Sequence, residues 1–163
     1  MNPTDSRYTP STAAYLNEAF PFLRRTARGR YVVPNGLVVT PDYDMRGNLG
    51  EALLLSGVAP IFAASIADAA YHLATSSINF VVCEHHLSDG PYTELLSIAR
   101  ASVSPPPLIV VSSTGDWPDY FEAIDRGAYD FLAYPLIPGE LQRILSAYLR
   151  LNFDASPQFN QLD

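Results

Sequence analysis

Apolar and polar positions follow a repeating rhythm along this chain: a short apolar run, a turn, then a longer segment with apolar residues every three or four positions. Leu37-Val38-Val39 is the first run, continuous enough for a strand buried on both faces. Thr40-Pro41-Asp42-Tyr43-Asp44 follows as a turn with a carboxylate placed to cap a helix. The spacing predicts that helix from about Met45 to Ser56, with Leu49, Leu53 and Leu54 facing the core and Gly57 ending it. Gly47 and Gly50 each weaken it by about 1 kcal/mol relative to alanine, so packing has to hold it. Ala59 to Ala63 reads as a second strand, and Pro60, which cannot donate to a ladder, suits its start or an edge position. Ser65 to Ala74 reads as a helix with Ile66, Ala69, Ala70 and Leu73 along one face.

The rhythm continues. Phe80 to Cys83 is a third strand, leading into Glu84-His85-His86-Leu87-Ser88-Asp89-Gly90, and a helix follows from about Pro91 to Ala101. Ser104-Pro105-Pro106-Pro107 is a stiff linker. Leu108 to Val111 is a fourth strand and Trp117 to Asp125 a helix, which stops before Gly127. A fifth strand runs through Phe131 and Leu132, Pro135 forces a turn, and Gly139 to Leu151 closes the series as a helix. Five strands alternating with five helices imply an α/β fold: one doubly wound, five-stranded parallel sheet, with functional loops at the carboxyl ends of its strands.

Composition narrows the function. With 163 residues, 48% of them hydrophobic, there is material for one domain with a proper core. No run approaches eighteen apolar residues and the N-terminus lacks a basic start before an apolar stretch, so a soluble cytoplasmic protein without membrane contact is expected. The single Cys83 has no internal disulfide partner. The net charge of -7 disfavours direct contact with nucleic acid. All ten basic residues are arginines. Without lysine, Schiff-base catalysis and a Walker-type phosphate loop are excluded within the chain.

The charge is divided unevenly. Up to Asn35 there are five arginines against Asp5 and Glu18, a net +3, with Arg24, Arg25, Arg28 and Arg30 crowded together; beyond it five arginines face fifteen acids, a net -10. Residues 1–35 therefore read as an extension, partly disordered or carrying a short helix through 13–20, and basic at its end. Residues 36–151 form the domain and 152–163 a polar tail.

Several segments in order resemble the receiver domains of bacterial response regulators: Leu37-Val38-Val39, Met45-Arg46, Leu87-Ser88-Asp89-Gly90, Pro107 to Val111, and Gly127-Ala128-Tyr129-Asp130-Phe131-Leu132 leading to Tyr134-Pro135. The resemblance covers about 36–150 and implies the (βα)5 flavodoxin-like receiver fold. In that family two acids after the first strand bind Mg²⁺, an aspartate after the third accepts a phosphoryl group, and a Ser or Thr after the fourth and a Lys after the fifth contact it. Such chemistry works by neutralising charge around the transferred oxygens. On this sequence those five positions fall on Thr40 and Pro41, Glu84, Ser112 and Tyr134, of which Ser112 alone keeps the family's chemistry. Asp42 and Asp89 are accessory acids within reach, and the aromatic that some receivers use as a switch corresponds to Phe131.

Two readings of Glu84 stand. It mimics a phosphorylated aspartate, accepting hydrogen bonds from Ser112 and the Tyr134 hydroxyl, or it is a solvated acid at a strand end. A metal cluster of Cys83, Glu84, His85 and His86 is disfavoured, because neighbouring strand residues point to opposite faces. A triad of Ser112, His85 and Asp89 lacks a nucleophile elbow. The resemblance thus implies a pseudo-receiver: no enzyme, no metal, no cofactor, and a protein-interaction module in bacterial signalling. The family's partner and homodimer face, built from the fourth helix, fifth strand and fifth helix, holds Trp117, Tyr120, Phe131 and Arg143 here. One alternative is a degenerate phosphoacceptor using Glu84 with Mg²⁺. A third reading is a transcription-regulatory component that reaches DNA through a partner or the arginine arm.

Overall fold

A computed structural model describes residues 19–20, 24–25, 28 and 31–153. The expected helix over 13–20 lies outside the described residues except for its last two positions, as does the tail beyond residue 153. The chain divides into two compact units, one of Pro34–Gln142 and one holding the described residues before Pro34 and from Arg143 onward.

Besides a short antiparallel pairing of His86–Leu87 with Gly90–Pro91, the first unit contains five longer strands: β1 (Asn35–Val39), β2 (Ala59–Ala63), β3 (Phe80–Glu84), β4 (Leu108–Ser112) and β5 (Asp130–Ala133). These five form one parallel sheet in the order β2-β1-β3-β4-β5. The helices between them are α1 (Tyr43–Leu55), α2 (Ile66–Thr75), α3 (Tyr92–Arg100) and α4 (Trp117–Asp125), and α5 (Glu140–Phe153) follows β5. This is the doubly wound α/β arrangement that the alternation of elements predicts. β2 is an edge strand, which is where Pro60 does least harm.

Alternation along the strands sorts the core. Leu37, Val39, Val81, Cys83, Leu108 and Val110 join Ile66, Ala69, Tyr92, Leu95 and Ala123 in one cluster, so α2, α3 and α4 pack on that face. Val38, Val82, Ile109 and Val111 point the other way and are as deeply buried. α1 packs on β1 and β2, with Met45, Leu49 and Leu53 inward. Leu54, expected in the core, is instead 62% exposed. It sits about 100° around the helix from Leu53, and a run of three leucines cannot turn all its members inward. The last helix runs past the expected limit of Leu151 to Phe153.

In the second unit Arg24–Arg25 pairs antiparallel with Tyr31–Val32, and Leu145 and Leu149 are buried. No described helix is long and apolar enough to cross a membrane.

Candidate functional site

The positions singled out in the sequence gather where β1, β3, β4 and β5 end. Val39 lies opposite Cys83 in the parallel register, so the next residues, Thr40 and Glu84, are neighbours. Thr40 is fully buried, its N–H donating to the Ala63 carbonyl at 3.0 Å. Its hydroxyl donates to Glu84 Oε2 at 2.6 Å and accepts from the Asp42 N–H at 3.0 Å. A buried hydroxyl needs partners, and Glu84 supplies a charged one. Arg46 adds a cation nearby: its Nη2 donates to the Thr40 carbonyl at 3.1 Å, while its buried Nε has no hydrogen-bond partner. Sequence reasoning missed this arginine as a site residue. The available signal was its place in the first turn of a helix that starts directly after Thr40-Pro41-Asp42.

Glu84 therefore meets Thr40, and the expected donors Ser112 and Tyr134 have other partners. Ser112 Oγ accepts from the Thr114 N–H at 3.2 Å. The Tyr134 hydroxyl accepts from Asn48 Nδ2 on α1 at 2.5 Å. Its ring lines a groove of about 330 Å³ with Leu55, Pro135 and Ile137. The Tyr134–Pro135 peptide is cis, and the Tyr134 N–H donates to the Ser112 carbonyl at 2.9 Å. Asp42 caps α1 by accepting from the Met45 N–H at 2.8 Å, and Pro41 is exposed. Asp89 reaches the start of α2, accepting from the Ile66 N–H at 2.9 Å and the Ala67 N–H at 3.1 Å. The Ile66 N–H, helped by that of Ala67, holds the Asp89 carboxyl below its ordinary range.

No protein-family model matches the chain. Over 116 residues it is 31% identical to the KDP operon transcriptional regulatory protein KdpE of Escherichia coli strain K12, a match covering 71% of this chain and 51% of that protein. The chain thus spans about half the length of this curated relative. The structure superposes on a response regulator receiver domain protein of Methanospirillum hungatei JF-1 with a TM-score of 0.65 at 19% identity, covering 74% of this chain and 96% of the other. The signal receiver domain of a putative LuxO repressor protein from Vibrio parahaemolyticus gives 0.68 at 16%, covering 78% and 100%. The beryllofluoride-activated NtrC4 receiver domain dimer gives 0.64 at 20%, covering 73% and 98%. The fold is that of a receiver domain.

Within this receiver fold, Cys83 is buried in β3, and burial, with Glu84 and Asp89 adding to it, pushes its thiol far above the ordinary range. The two histidines after it depart from expectation. β3 stops at Glu84 and the chain bends at His85, so alternation no longer applies and the rings of His85 and His86 lie 4.3 Å apart. Burial, then the charge of His86, lowers the His85 pKa, while Asp119 and Glu122 act weakly in the opposite sense. Among the described residues no group of three or more His, Cys, Asp or Glu side chains is placed to hold a metal ion. Ser112, His85 and Asp89, drawn from sequence as a conceivable triad, have the separate partners given above.

Phe131 is 8% exposed, with its ring edge-on to His85 at 5.7 Å and to Tyr120 at 6.3 Å. Any side chain at Gly115 would strike this ring, so the loop after β4 closes over it only because that residue is glycine. Tyr120 in turn meets Trp117 and Phe121, at 5.8 and 5.5 Å. Ring contacts thus run unbroken from the loop beyond Glu84 to the surface of α4. Trp117 and Phe121 are 73% and 64% exposed, Tyr120 is half-buried, and Arg143 on α5 is exposed.

Proposed function

We propose that this chain is a pseudo-receiver, a receiver-fold protein that acts by binding other proteins and not by phosphotransfer. The observation that carries the reading is the 2.6 Å hydrogen bond from Thr40 to Glu84, made where the family resemblance places two acids around Mg²⁺. Three further features support it. Asp42, the nearest acid in sequence, is engaged as a helix cap. The position of the phosphoryl-binding lysine is a tyrosine bonded to α1. The chain contains no lysine to take its place. A carboxylate already paired with a buried hydroxyl, with Asp42 and Asp89 both accepting from N–H groups at helix starts, has little with which to hold a divalent cation. In this reading the protein is cytoplasmic, has no enzymatic activity and no cofactor, and contacts neither membrane nor nucleic acid directly. Its working surface is the exposed aromatic side of α4 with Trp117 and Phe121. Any bearing on transcription, suggested by the name of the curated relative, runs through a partner.

Titration of the ¹⁵N-labelled protein with Mg²⁺ and then beryllofluoride tests this, with the amides of Asp42, Glu84, Ser112 and Tyr134 as reporters. The expected result is no saturable shift. Saturable shifts spreading from Glu84 to Phe131 would establish the alternative, a working phosphoacceptor built on Glu84 and Mg²⁺.

A further inference from the structure

The outer side of α4 carries an uncovered apolar stripe. Trp117, Phe121 and Ile124 stand at i, i+4 and i+7, and are 73%, 64% and 38% exposed. The Trp117 and Phe121 rings are 6.2 Å apart and tilted, forming one aromatic surface. Its surroundings are acidic. Asp116, Asp119, Glu122 and Asp125 all belong to this helix or its cap; of the cations near them, Arg126 is bonded to Glu122 at 2.8 Å and Arg100 donates to the Arg126 carbonyl at the helix end. Aromatic faces ringed by carboxylates suit a ligand that brings arginine together with apolar side chains: guanidinium groups stack on the rings and pair with the acids.

The same chain contains a segment of that chemistry. Arg24, Arg25, Arg28 and Arg30 lie in a stretch with no acid between Glu18 and Asp42. Arg24–Arg25 pairs antiparallel with Tyr31–Val32, and Val32 and Val33 are 47% and 46% exposed. The net charges of +3 before Gly36 and -10 after it make the two regions electrostatic complements. We propose that the arginine-rich segment over 24–33 of one copy docks on the acidic, aromatic face of α4 in a second copy. Because each copy has one segment and one face, two reciprocal contacts close a symmetric dimer and leave neither surface open. This deepens the interaction-module reading and rests on its choice of the α4 face.

The test is sedimentation velocity of the full chain over a range of concentrations at low and high salt. Three samples are compared: wild type, Trp117→Ala/Phe121→Ala, and Arg24→Gln/Arg25→Gln/Arg28→Gln/Arg30→Gln, with circular dichroism confirming that each is folded. The wild type is expected to dimerise, and each variant to do so at least about tenfold more weakly. High salt should weaken the wild-type dimer by screening the exposed charges. An equimolar mixture of the variants should recover part of the association, since one intact segment then meets one intact face. A wild type that stays monomeric throughout overturns the proposal. A dimer lost in the aromatic variant but kept in the arginine variant also overturns it, while leaving the α4 face as a docking surface. Because the beryllofluoride titration reads a different region, failure of the dimer and failure of the phosphorylation-independent reading are separately visible.

Discussion

Replacing Thr40 by valine removes one oxygen from a fully buried position and keeps the branched shape. Two hydrogen bonds go with it: the 2.6 Å donation to Glu84 and the 3.0 Å acceptance from the Asp42 N–H. A bond to a charged partner contributes about 1.5–3 kcal/mol and a neutral backbone bond about 1 kcal/mol. Glu84 is only half-buried, so water replaces part of the first contribution. The expected loss is therefore about 2–3 kcal/mol, measured by urea unfolding followed through the single tryptophan, Trp117. For a chain of this size that corresponds to a fall of about 4–12 °C in Tm. Glu84→Ala, and the double variant with Thr40→Val, complete a cycle in which the two changes should couple by more than about 1 kcal/mol. Additive effects, or a loss below about 1 kcal/mol for Thr40→Val alone, would show that Thr40 and Glu84 are neighbours without being partners, and would remove the main support for the proposed function.

Two further outcomes follow from local geometry. Gly127→Ala puts a Cβ on a residue at φ +99° and directly onto the Arg100 guanidinium, which donates to the Arg126 carbonyl at 2.8 Å; the expected loss is about 1–3 kcal/mol in the same unfolding assay, and a loss under about 0.5 kcal/mol would contradict the structure there. His85 is held below its ordinary pKa of 6.5 in the folded protein. The unfolded chain then binds the extra proton first, so stability should fall as pH drops from about 6.5 through the folded value. Unfolding free energies measured on either side of that window, for wild type and His85→Gln, check it: the variant should lose less stability on acidification, and an identical pH dependence would refute the assignment.

The elements of this fold are legible in the chain because each strand is a short, continuous apolar run and each helix has its own punctuation. The Asp42 cap and the turn at Pro135 can both be placed from residue type alone. Where reading fails, the cause is a missing polar marker or a broken period. Leu53-Leu54-Leu55 contains nothing to show which member faces water. His85 and His86 look like alternating strand residues, but the bend at His85 lies in backbone geometry that no residue type announces. The partner of Glu84 is harder still. Thr40, Ser112 and Tyr134 all carry hydroxyls near the strand ends, and the choice among them depends on side-chain direction across strands. Tyr134 turns away because Asn48, from a helix more than eighty positions earlier, receives it. The contact of Arg46 with the Thr40 carbonyl is hidden from the sequence for the same reason, since it is a feature of how α1 enters the sheet.

Cys83 has a practical consequence at the bench. Its sulfur is shut inside the central strand and its thiol is held protonated, so alkylating reagents have no thiolate to attack while the protein is folded. The sequence also contains no lysine. Amine-reactive reagents therefore find only the α-amino group of the chain, and maleimides find nothing at all. A cysteine introduced on the surface of α4 would be the one site to take up a dye or spin label, in a background needing no prior mutation. The native sulfur would then serve as a clock: the rate at which it becomes modifiable reports how often β3 opens to solvent.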